Sequence, residues 1–233
     1  TQSTWGQHSQ NMKEKHPCRM TKVVLLKAFI FNLVLGFVQA SDPDMLQDLC
    51  VADSSAGFKI NGFPCKEESN VTADDFSFSG LASFGAVNSS LGSVVTPASV
   101  MKIPGLNTLG VSMSRIDFLR YGVNPPHTHL RASEMVFVLE GELYVGFVTT
   151  ASKLVSKTLK RGDVFVFPRG LIHFQKNIGD GPASVVAAFN SQLPGTQQMA
   201  KAMFGAEPEI SDDILAAAFH IRTKDVKRIK SNF

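Results

Sequence analysis

The fold of this chain turns on two stretches, G-V-N-P-P-H-T-H-L-R-A-S-E-M-V-F-V-L-E-G at residues 122–141 and G-D-V-F-V-F-P-R-G-L-I-H-F-Q-K-N at residues 162–177. They contain His127, His129, Glu134 and His173, so three of the six histidines lie here. His127 and His129 are spaced i, i+2, which on a strand turns both side chains to one face. Asn124-Pro125-Pro126 stiffens the approach, because each proline fixes its φ. Four good metal ligands between glycine and proline turns predict one redox-capable divalent ion inside a small β-barrel. Imidazole and carboxylate suit borderline metals, and ligand type alone does not name the metal. Four protein ligands on an ion that prefers six leave two positions open, which is the layout of a catalytic site.

The surrounding texture agrees. Residues 108–119 alternate loosely, and 135–139 and 143–148 are β-favouring runs separated by Glu140-Gly141, a hairpin signal. Runs at 164–167 and 184–189 continue the series. Short strands at such spacing predict an all-β sandwich or barrel, with a core at about residues 94–193. Val164-Phe165-Val166-Phe167 is apolar at every position, which predicts cover on both faces. Residues 41–95 are rich in Ser, Asn, Gly, Asp and Pro and read as an ordered but irregular arm. The end of the chain turns helical over about 196–230. Residues 196–203 make a turn or two, Ser211-Asp212-Asp213 caps a run at 214–221, and 223–229 forms a basic helix.

Residues 20–40 have the layout of a signal peptide. Lys22 and Lys27 precede an apolar run from Ala28 to Val38, and Val38-Gln39-Ala40 offers small residues for cleavage. The run is shorter than the roughly 20 residues that span a bilayer, which argues against a membrane anchor. Residues 1–19 are polar and read as a non-structural extension, with Met12 or Met20 a plausible start. Residues 41–233 then form a single domain. Of 23 basic and 20 acidic side chains, five and one lie in residues 1–40; the other 193 residues carry 18 and 19, a net charge of −1. A charge so near zero gives no electrostatic basis for nucleic-acid binding.

Cys18 falls in the leader. Cys50 and Cys65 remain, an even pair in an exported chain, and read as one disulfide stapling the arm. Asn70-Val71-Thr72 and Asn88-Ser89-Ser90 are N-glycosylation sequons in polar stretches.

The two opening stretches resemble the paired motifs of the cupins, G-x5-H-x-H-x(3,4)-E-x6-G and G-x5-P-x-G-x2-H-x3-N. The second matches throughout, from Gly162 through Pro168, Gly170 and His173 to Asn177. The first departs at its opening glycine, where Tyr121 stands, with Gly122 next; a changed turn with no lost ligand is the expectation. Beyond the motifs, D-P-D-M-L-Q-D-L-C-V-A-D (42–53), G-F-P-C-K (62–66), L-N-T-L-G-V-S-M-S-R-I-D-F (106–118) and F-N-S-Q-L-P-G (189–195) resemble the plant germin-like proteins. This resemblance implies a jelly-roll β-barrel with a disulfide-stapled arm and C-terminal α-helices. It implies manganese held by His127, His129, Glu134 and His173. It also implies assembly as a trimer of dimers, export to the apoplast and cell wall, and a role in stress or defence.

Germins differ in activity. Some oxidise oxalate, others dismutate superoxide, and many have no assigned reaction. The oxalate-oxidising members reach their substrate with two asparagines. One matches Asn124; Ser114 occupies the place of the other. A site built to hydrogen-bond a dianion discriminates sharply when one donor is missing. The sequence therefore favours a superoxide dismutase over an oxalate oxidase, with a non-catalytic extracellular binding or wall-structural protein as the third reading.

Overall fold

A computed structural model describes residues 47–58 and 62–233. The leader segments at 1–19 and 20–40, with Cys18, lie outside the described residues.

Among the described residues, ten strands form two antiparallel sheets: β1 Ser93–Ala98, β2 Ser112–Phe118, β3 Val123–His129, β4 Glu134–Glu140, β5 Glu142–Val148, β6 Leu154–Lys160, β7 Val164–Phe167, β8 Ile172–Asn177, β9 Ala183–Phe189 and β10 Thr196–Gln198. One sheet has the order β1-β2-β9-β4-β7 and the other β10-β3-β8-β5-β6. Strand β5 pairs with β6, β4 with β7, β3 with β8 and β2 with β9. These nested pairs are one long hairpin wrapped on itself, which is the jelly-roll topology. Pro97 is tolerated within β1 because that strand is a sheet edge.

The interior is filled by alternate residues of facing strands. Ile116, Phe118, Val136, Val138, Leu143, Val145, Leu159, Phe167, Val185 and Phe189 form one buried cluster. Strand β4 shows the period plainly: Glu134, Val136 and Val138 are buried while Met135 and Phe137 are exposed. The same alternation corrects the expected double cover of β7, for Phe167 is buried while Val164 and Val166 are each about half exposed. Among the described residues, the outer face of this sheet is apolar and uncovered.

The arm is irregular, as its composition predicts, with 3-10 turns at Glu68–Asn70 and Ala73–Phe76. Several contacts pin it. Cys50 and Cys65 are joined by a disulfide. Further along, Gly85 N donates to the buried carboxylate of Asp117 at 2.8 Å, which Arg115 and Ser184 also engage.

The C-terminal part departs from expectation at its start. Thr196–Gln198 is a strand paired with β3, and only then does α1 run from Met199 to Phe204. Helices α2 Asp212–Phe219 and α3 Thr223–Lys230 follow, and Phe204, Leu215 and Val226 make a second small core. Among the described residues, no helix is long and apolar enough to cross a membrane.

Candidate metal centre

Strand β3 supplies His127 and His129, β4 opens on Glu134, and β8 brings His173 opposite His127 in the ladder. A bulge between Asn124 and His127 accommodates Pro125 and Pro126. The turn before β8 is fixed by Gly170, at φ 76°, whose N–H donates to the carbonyl of His129 at 3.1 Å. All four residues are at most 5 % exposed. One donor atom from each lies within 4.8 Å of every other.

Each imidazole is oriented by its outward nitrogen. Nδ1 of His127 lies 2.7 Å from the Pro125 carbonyl, Nδ1 of His173 2.8 Å from that of Leu171, and Nδ1 of His129 3.3 Å from that of Gly195. A carbonyl only accepts, so each Nδ1 carries the proton and each Nε2 turns a lone pair to the centre. The Glu134 Oε2 lies 3.0 Å from His173 Nε2 and 3.1 Å from His129 Nε2. Acceptors this close repel unless a proton or a cation stands between them. An octahedral ion with ligands at about 2.1 Å sets neighbouring donors ~3 Å apart, so the donor set fits a metal.

The electrostatics agree. Burial and the neighbouring His173 push His127 down to about 4, so it stays a neutral ligand. Burial works to raise Glu134, but the contacts of its carboxylate with His129 and His173 outweigh this and hold it at about 2. Three neutral imidazoles and one carboxylate around a divalent ion give a net charge of +1.

A cavity of about 440 Å³ opens onto His127 and His129, with Val95, Pro97, Ile116, Phe189 and Leu193 in its walls. Ser114 and Asn124 line it, each 6 % exposed. The structure thus brings both substrate-side candidates to the same space as the histidines. Glu134 and His173 sit behind. Their nearest neighbours include Phe167, whose ring stacks on His173 with centroids 4.5 Å apart.

The cupin family profile matches residues 79–227. Germin-like protein subfamily 2 member 1 of Arabidopsis thaliana is 60% identical over 215 residues, covering 92% of this chain and 98% of that protein. The chain belongs to the germin-like proteins of the cupin family. Nectarin-1 of Nicotiana langsdorffii x Nicotiana sanderae is another relative of this germin-like chain, 62% identical over 209 residues, with 88% and 90% covered. Among solved structures, an oxalate oxidase in complex with the substrate analogue glycolate superimposes with a TM-score of 0.80 at 43% identity, covering 83% of this germin-like chain and 98% of that one.

Sequence reasoning missed Gln175. It is fully buried, accepts from Asn124 Nδ2 at 2.7 Å and donates toward Glu134 Oε1 at 3.5 Å. Its signal was available, since Gln175 follows His173 by two and therefore shares its face. It also missed Gly195 and Thr196, which meet His129 at the entry to β10. The motif's Asn177 is a turn brace. Its Nδ2 donates to the carbonyls of Leu119 and Gly181, and its Oδ1 accepts from Gly179 N. Tyr121, at the departed glycine, takes φ 62°, and all four candidate ligands are still gathered. The sequon residues Asn70 and Asn88 are exposed.

Proposed function

We propose that this chain is a secreted manganese protein of the plant apoplast that dismutates superoxide, with His127, His129, Glu134 and His173 as the metal's ligands. The observation that carries the reading is the convergence of three imidazole lone pairs and one carboxylate at the end of a cavity. Manganese, when bound, would supply a one-electron couple at a site of charge +1. Two superoxide anions and two protons give oxygen and hydrogen peroxide, and the positive site attracts the anion. Asn124, its amide held by Gln175, stands at the cavity wall where a small anion arrives. Ser114 offers one short hydroxyl where an asparagine would offer an amide, which weighs against a dianionic substrate.

Oxalate oxidation is the second reading. The solved oxalate oxidase, 43% identical, favours it, as does the presence of Asn124. One sample of native protein separates the two. Metal analysis, superoxide consumption and oxalate-dependent peroxide release are measured together. The first reading expects manganese, superoxide consumption above that of free manganese, and no peroxide from oxalate until Ser114→Asn is introduced. Manganese without superoxide consumption would sink it.

Export is supported by the Cys50–Cys65 disulfide, since such bonds persist in oxidising compartments. Exposure of Asn70 and Asn88 is compatible with glycans at both. Assembly as a hexamer, a trimer of dimers, is supported by the uncovered sheet face. Met113, Ala188, Met135 and Val166 form one cross-strand row, and Val186, Phe137 and Val164 lie in the next. A contiguous apolar face of this kind is the mark of a protein interface, and a second copy would cover it.

A further inference from the structure

His129 is held differently from its two companions. His127 and His173 each have their Nδ1 within 2.8 Å of a carbonyl two residues earlier in the chain, at Pro125 and Leu171. His129 instead reaches across to another segment, 3.3 Å to Gly195 O and 3.4 Å to Thr196 Oγ1. Its orientation therefore depends on where the 193–196 segment lies.

Arg131 fixes that segment from two atoms. Its backbone N–H donates to the Pro194 carbonyl at 3.2 Å, and its Nε donates to the Leu193 carbonyl at 2.8 Å. The guanidinium lies flat against Gly195: a Cβ at that position would come within 2.5 Å of Nη2 and 2.6 Å of Cζ. Gly195 takes φ 65°, so its lack of a side chain serves both the turn and the close approach of the arginine. A planar guanidinium makes this contact, whereas a lysine ammonium on a flexible stem has neither the fork nor the flat face.

We propose that Arg131 is a positioning residue for the metal centre, clamping the turn at Leu193–Gly195 so that the Gly195 carbonyl aims the ring of His129. This rests on the reading of the four-residue cluster as a metal site. The same guanidinium stands at the lip of the cavity and, among the described residues, is its one permanently charged lining side chain. A purely electrostatic role is therefore the rival account.

The test uses cobalt(II) as the probe ion, because its visible bands report ligand number and geometry without any turnover. Wild type, Arg131→Lys and Arg131→Met are loaded with cobalt, and the spectrum and the rate of loss to a chelator are recorded. Melting curves of the metal-free proteins show that each variant is folded. The proposal expects altered bands and a loss rate raised about 10–100-fold in both variants, the scale of removing an outer-shell orienting contact. Lysine keeps the charge, so an Arg131→Lys protein that behaves as wild type while Arg131→Met does not would overturn positioning in favour of charge. Two variants both like wild type would overturn it outright. A wild type that takes up no cobalt would overturn the metal reading and this inference with it, which is a different result from metal bound and unaffected by Arg131. Should Arg131→Met fail to fold, Arg131→Lys alone decides.

Discussion

Glu134 Oε2 lies 3.0 Å from His173 Nε2, and with the His173 proton on Nδ1 neither atom has a hydrogen to share. The pair is satisfied by a cation and strained without one. Glu134→Gln separates these two states. The amide NH2 donates to an imidazole lone pair, so the metal-free variant gains the hydrogen bond the wild type lacks. Its melting temperature in chelator is expected to equal or exceed that of chelated wild type, while its metal affinity falls about 100-fold or more. A large loss of stability in chelator would contradict the lone-pair account.

The turn into β3 makes a steric prediction. A Cβ on Gly122 would lie 2.1 Å from the Gly92 carbonyl oxygen, and backbone does not yield cheaply. Gly122→Ala should destabilise by about 2–3 kcal/mol in urea unfolding. Tyr121→Gly relieves an αL backbone worth about 1 kcal/mol. It also gives the unfolded chain more freedom at a similar magnitude. It should therefore change stability by less than about 1 kcal/mol. The reverse ranking would show that the motif's glycine requirement sits at 121.

Acid should weaken the metal-free protein in a definite window. His127 is held at about 4 when folded against 6.5 as its ordinary value, so the unfolded chain binds more protons between them. Stability therefore falls as pH drops from 6.5 towards 4. Between pH 7 and pH 5 the His127 effect is on the order of 2 kcal/mol. Urea unfolding in chelator at the two pH values checks it; equal or greater stability at pH 5 would contradict it.

The exposed sheet face makes a prediction about assembly. Phe137 is 44 % exposed in the single chain, between Val186 and Val164. If a second copy covers it, Phe137→Asp buries a charge at the interface, and light scattering should show smaller species than wild type. An unchanged mass would remove this face from the interface.

Much of the site was legible because its spacing is local. His127 and His129 share a face by period two, Glu134 opens β4 a short connection later, and His173 follows the Pro168-Arg169-Gly170 turn into β8. The jelly roll followed from the strand series and the family likeness. Strand β6 did not show, because L-V-S-K-T-L-K buries only Leu159 and leaves polar positions on an edge. Strand β10 did not show because Thr196–Gln198 is exposed and polar, and its partner lies 67 residues or more earlier in sequence. The cover expected over Val164 and Val166 is not supplied by the described residues of the chain, and periodicity does not show what lies over a strand face. Arg131 was seen only as part of a connection, since its contacts are with a segment distant in sequence.

Metal content bears most directly on the central claim. Native wild type and His173→Ala, purified in parallel, are analysed for manganese and other transition metals. The account predicts about one manganese per chain in wild type and less than about 0.1 of any metal in the variant, with the variant still folded by circular dichroism. Wild type without stoichiometric metal, or a folded variant that retains it, would contradict the assignment of these four residues as the site.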